Sequence, residues 1–132
     1  MSHLVKHWLK AVPWSTVVAI NASLCQAAHA THKPTSEGYK SCETLWEKSR
    51  SRELSLQELL EICFKCHRLA PFCNYNGNTF VAIVSTLLTD TLSRLPANKA
   101  FILRSVSGHI VAGTATDIEK KQLDELLKEL NK

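Results

Sequence analysis

Residues 62–73 read Ile-Cys-Phe-Lys-Cys-His-Arg-Leu-Ala-Pro-Phe-Cys, a dense run of chemically capable side chains. Cys63 and Cys66 stand two residues apart, and His67 follows at once. Three kinds of chemistry suit that spacing. The sulfurs can form thioethers to the vinyl groups of a haem whose iron His67 ligates. They can make half of a tetrahedral zinc site. Or they can fill a buried helix face, where cysteine behaves as a small hydrophobe.

The haem arrangement resembles the small c-type cytochromes, in which a helix leads into the motif and carries it at its C-terminal end. That resemblance implies haem c held by Cys63 and Cys66, His67 as axial ligand, and electron transfer as the activity. Such proteins supply a distal methionine, but the only methionine here is Met1. His109, or else His32, takes that role. The resemblance stops at the motif, because the later chain lacks the Gly- and Pro-rich helical pattern of those cytochromes.

The chain has five cysteines: Cys25, Cys42, Cys63, Cys66 and Cys73. As zinc ligands, Cys42, Cys63, Cys66 and Cys73, with His67 nearby, give one close pair and a second pair split around it. The turn glycine usual in such knuckles is absent. In an oxidising compartment Cys42 and Cys73 become a candidate disulfide. A redox dithiol at Cys63 and Cys66 sits badly, since a helix C-terminus opposes a thiolate. Cys73 with His109 could be nucleophile and base, but no family signature surrounds them. Neither a phosphate-binding loop nor a dinucleotide fingerprint occurs. With no complete catalytic set, a non-catalytic role is the expectation.

The elements that must place these residues are mostly helical. Cys42, Leu45, Trp46 and Ser49 share a face over residues 39–50. Ser55 and Glu58 form a capping box before Leu56, Leu59, Leu60, Cys63 and His67. Pro71 ends that helix. Thr79 opens another, with Phe80, Ile83, Val84, Leu87, Leu88, Thr91 and Leu95 as its apolar stripe, and Pro96 closes it. The stretch AFILRSVSGHIVAGT then alternates and reads as a β-hairpin turning at Ser107-Gly108. A second capping box, Thr116 and Glu119, starts a last helix with Leu123, Leu126, Leu127 and Leu130 on one side. The expected fold is therefore α+β, mainly α-helical, with about four body helices and one hairpin before the C-terminal helix.

Domain organisation follows from composition. Residues 1–30 read as a signal peptide or an amphipathic helix. Lys6 and Lys10 precede a formally uncharged run, and Ala28-His29-Ala30 is a small-x-small cleavage site. Leu4, Val5, Trp8, Leu9 and Val12 would line the helix alternative. Asn21-Ala22-Ser23 is a glycosylation sequon inside this segment. Residues 31–38 are a polar linker, and 39–132 form one globular domain. Export to the periplasm or outside the cell goes with signal cleavage; otherwise the chain is cytoplasmic.

Formal net charge is +4, and the first 36 residues carry Lys6, Lys10 and Lys33 with no acid. The remaining body is nearly neutral and lacks a basic face, which argues against nucleic-acid binding. The N-terminal apolar run is too interrupted for a stable membrane span. The sequence thus points to a small binding or adaptor protein that meets a protein partner through the hairpin or a helix face. The leucine side of the last helix would also suit a homodimer. Covalent haem is the alternative, and a zinc- or disulfide-stapled module is a third.

Overall fold

The computed structural model describes residues 4–131. Within them the chain forms seven helices: α1 Trp14–Ala27, α2 Gly38–Arg50, α3 Leu56–Leu69, α4 Asn76–Leu87, α5 Thr89–Ser93, α6 Ala97–Ala112 and α7 Asp117–Leu130. The described residues form no sheet. Extended pairing is limited to two isolated bridges, Lys6 with Leu54 and Pro34 with Phe72. The fold is all-helical rather than α+β, and none of these helices is long and apolar enough to cross a membrane.

The hairpin is the main correction. Residues 97–112 are one continuous helix, with Ser107 and Gly108 inside it rather than at a turn. Leu103, Val106, Ser107 and Val111 are buried at helical spacing. The strand preference of Val and Ile amounts to only tenths of a kcal/mol, ~0.5 per residue, and packing overrides it. Here α6 is pressed against α3, α4 and α7. Gly108 faces α4, where an added Cβ would lie 3.8 Å from Val81. The real stop comes at Gly113, which takes φ 81°. Its N–H donates to Ile110 O, and Thr114 N–H donates to His109 O, closing a Schellman turn.

Other elements follow the apolar periodicity. Both capping boxes form, Ser55 with Glu58 and Thr116 with Glu119. The helix expected from Thr79 to Leu95 is divided at Leu88 into α4 and α5. Its start lies earlier, at Asn76, because Tyr75 enters the left-handed region at φ 58° and turns the chain into the helix. On α7, Leu123, Leu126 and Leu127 are buried, so the leucine face is used within the core.

Residues 4–13 form turns and a bridge rather than an amphipathic helix. They run as a strap over α2. Lys6 and Leu54 exchange backbone hydrogen bonds of 3.1 and 2.9 Å. Trp46 Nε1 donates to Val12 O at 2.8 Å, and Arg50 donates to the carbonyls of Leu9 and Lys10. Leu4, Trp8 and Leu9 are buried in the same core as the later helices. The 31–38 segment is also pinned. Cys73 N–H donates to Lys33 O, and Thr35 N–H to Pro71 O. Gly38 then starts α2 so close to the end of α3 that a Cβ would fall 1.9 Å from Leu69 O.

Trp14 joins these parts. Its ring stacks on Phe72 at 6.0 Å and meets Tyr39 edge-on at 5.5 Å. Trp46 lies tilted beside it at 6.4 Å and reaches Phe80 on α4. Aromatic pairs of this kind add ~0.5–1.5 kcal/mol each beyond burial. Trp14→Ala should therefore destabilise the whole chain by about 3–5 kcal/mol, as expected for an aromatic-to-alanine change in a core. Urea unfolding followed by circular dichroism checks this. A loss below about 1 kcal/mol, the range of surface substitutions, would show that 1–30 is not integral to the fold.

Candidate functional site

The CxxCH stretch lies in the last turns of α3, and its side chains point two ways. Cys63 and Cys66 continue the buried row of Leu56, Leu59 and Leu60, and both are fully buried. Cys42 of α2 is equally buried, and its thiol shares a hydrogen bond with Cys66. That hydrogen bond, burial and the neighbouring sulfurs push the Cys42 thiol far above the ordinary thiol range. Burial, then the proximity of Cys66, raises Cys63 as well. These are protonated, weakly nucleophilic thiols.

The structure gathers Cys42, Cys63 and Cys66 but not Cys73. Cys73 is exposed in the loop after Pro71, away from its candidate disulfide partner Cys42. All five cysteines are free thiols. Among the described residues, no three His, Cys, Asp or Glu side chains are grouped to hold a metal ion. Thioether attachment at Cys63 and Cys66 would require both sulfurs to leave the α2–α3 interface.

His67 turns outward from the same helix. Its Nδ1 donates to Val111 O at 2.9 Å, which leaves Nε2 as an acceptor in the neutral ring. Gly77 lies against the ring edge, where a Cβ would sit 3.1 Å from Nε2. His109 is engaged elsewhere. Its Nδ1 meets Glu119 Oε2 at 2.5 Å, joining α6 to the start of α7. His32 Nδ1 donates to Asn21 Oδ1 at 2.8 Å. No two of these three imidazoles thus share a partner.

His67 lines an open hollow of about 920 Å³ between the ends of α1 and α3 and the face of α4 from Asn76 to Ser85. Leu24, Ala70, Tyr75, Val81, Ala82 and Ser85 are among its other walls. Two smaller hollows continue it along α4. One, of about 190 Å³, shares Val81 and Ser85 and reaches Arg104 and Gly108 of α6. The other, of about 290 Å³, shares Ser85 and Arg104 and ends at Ser93. Together they make a furrow that follows α4, a helix of 12 residues, about 18 Å long. Ala70 and Tyr75 on its wall both hold positive φ, at 48° and 58°. Left-handed non-glycine residues are strained and concentrate at functional sites.

Sequence reasoning found His67 but not the furrow, and it missed the residue that shapes the furrow's end. Asn21 is fully buried on α1. Its Nδ2 donates to Asn74 O at 2.8 Å and to Thr79 Oγ1 at 3.0 Å. Its Oδ1 accepts from His32 and, at 3.5 Å, from the Cys25 thiol. The signal was available. Trp14, Val17, Asn21 and Cys25 recur at three- and four-residue spacing, which puts a lone amide on the buried face. The sequon asparagine is thus enclosed and fully hydrogen-bonded.

No family model matches the chain, and no curated protein or solved structure is significantly similar to it.

Two expectations follow from this geometry. In the native protein one thiol, Cys73, should react promptly with an aromatic disulfide reagent, and all five should react in denaturant. Cys73→Ser should abolish the native signal, and two or more fast native thiols would contradict the burial described.

The second concerns acid. Backbone N–H groups of Ser55 and Thr116, with help from Arg52 and His109 respectively, hold the Glu58 and Glu119 carboxyls below the usual carboxylate range. The unfolded chain therefore binds their protons first as pH falls. Their stabilisation is complete above the ordinary carboxylate pKa and is lost as pH drops through the lower folded value. Urea midpoints should fall over that window, and less steeply in Glu119→Gln. An identical slope in the variant would remove Glu119 from the acid response.

Proposed function

We propose that this chain is a small non-catalytic binding module that acts through protein–protein contacts, with the furrow along α4 as its contact surface. The observation that carries the reading is the composition of α4. A surface helix ordinarily shows a charged outer face. This one has no charged residue, and no charge occurs anywhere between Arg68 and Asp90. Its outer stripe, Asn78, Ala82 and Ser85, continued by Thr89 at the start of α5, is short and uncharged. Centres of protein contact patches are depleted in charge in the same way. The main hollow falls within the usual range for binding clefts, roughly 300–1,000 Å³.

In this reading Cys63 and Cys66 are core, and His67 belongs to the surface. The buried thiols hold α3 against α2, and the imidazole supplies a fixed acceptor on the furrow wall. A contact through a hairpin is no longer part of the proposal, since that segment is α6.

A photo-crosslinking side chain placed at Ser85 tests it, because Ser85 borders all three hollows. Lys121, exposed on α7, is the control position. Expressed in the native host, the Ser85 variant should give a discrete protein adduct that the Lys121 variant does not. Equal adducts from both positions, or none from Ser85, would count against the furrow as a contact surface.

A further inference from the structure

The furrow's chemistry also restricts what fits it, taking as given that it is the contact surface. The chain's 12 acidic residues all fall in two stretches, 37–61 and 90–129. Of the helices that line the furrow, α1, α4 and α6 contain no Asp or Glu, and α3 and α5 line it with residues other than their Glu58, Glu61 and Asp90. No carboxylate lines any of the three hollows. The hollows on the opposite side, between α3, α6 and α7, are bordered by Glu61 and Lys120, and one of them also by Asp124. The absence of acid is therefore a property of this face and not of the surface in general.

The cation that lines the furrow among the described residues, Arg104, is uncommitted. Arg104 lines its far half, is exposed, and forms no ion pair among the described residues. Elsewhere Arg50, Arg52 and Arg94 are each paired with a carboxylate. A cation in a groove with no carboxylate on its walls favours a negative partner and speeds its encounter.

We propose that the furrow docks a short acidic peptide segment in extended conformation, a carboxylate side chain against Arg104 and a backbone N–H on His67 Nε2. The dimensions agree. From Gly77, beside His67, to Ser85, beside Arg104, α4 advances about 12 Å. An extended peptide covers that in about four residues. The apolar walls given by Val81, Ala82 and Leu88 leave room for small aliphatic side chains between the two anchors.

Selection from a random heptapeptide display library on the full chain tests this, followed by titration of the selected peptides with backbone amide NMR mapping. The expected result is enrichment of Asp and Glu, with shifts confined to the furrow. Affinity should fall about fivefold in Arg104→Glu, the scale of an exposed ion pair. It should recover when the peptide's Asp or Glu is replaced by Lys. Arg104 is exposed and unpaired, so this variant keeps the fold, and its amide spectrum confirms that.

Peptides that map to the furrow without acidic enrichment would overturn the acidic-peptide inference and leave the contact surface standing. Shifts elsewhere, or no selected peptide, would overturn both. Displacement of the peptide by millimolar inorganic phosphate or by a random oligonucleotide would show a general anion site and defeat the proposal. Concentration-dependent self-association through the furrow would do the same in favour of a second copy of this chain.

Discussion

The amide of Asn21 is the constraint on which the working face depends. An asparagine side chain offers two donors and two acceptor positions, and all are used by groups from different parts of the chain. Asn74 O and Thr79 Oγ1 fix the loop into α4 and that helix's first turn. His32 fixes the segment that returns from α1. Every one of these groups would cost ~1–3 kcal/mol if buried without a partner. The amide therefore tolerates only one relative placement of α1, the 29–34 segment and α4. Those are the elements that shape the widest part of the furrow.

A division within α3 has comparable weight. Cys63 and Cys66 face inward and meet Cys42, while His67, the next residue round the helix, faces α4 and α6. A sequence motif made of adjacent letters is thus split between two environments. One is apolar and raises the Cys63 thiol above its ordinary range; the other is open and carries an oriented imidazole. Only the second can meet a ligand without disturbing the packing of α2 on α3.

Much of the helical frame was legible in the sequence, for definite physical reasons. The two capping boxes are local, since a span of four residues contains all the partners, and both form. Leucine periodicity likewise placed α3 and α7. The failures are non-local. Residues 101–112 alternate because β-branched and polar residues happen to interleave there, and only contact with four other helices selects the 3.6-residue period. The strap over 4–13 depends on Trp46, Arg50 and Leu54, which no N-terminal pattern could announce. The furrow is an absence of acidic side chains spread over α1, α4 and α6, and it becomes a surface only after those helices are assembled.

That strap has a consequence for synthesis. Chains emerge N-terminus first, yet residues 4–13 settle only against side chains and carbonyls of residues 46–54. Asn21 must wait longer, for Asn74 and Thr79. Residues 4–27 therefore leave the ribosome with Trp8, Trp14 and the apolar α1 unsheltered. They stay so until residues 74–79 have been translated. During that interval Trp8, Trp14 and the uncharged α1 are the segment a ribosome-associated chaperone would meet.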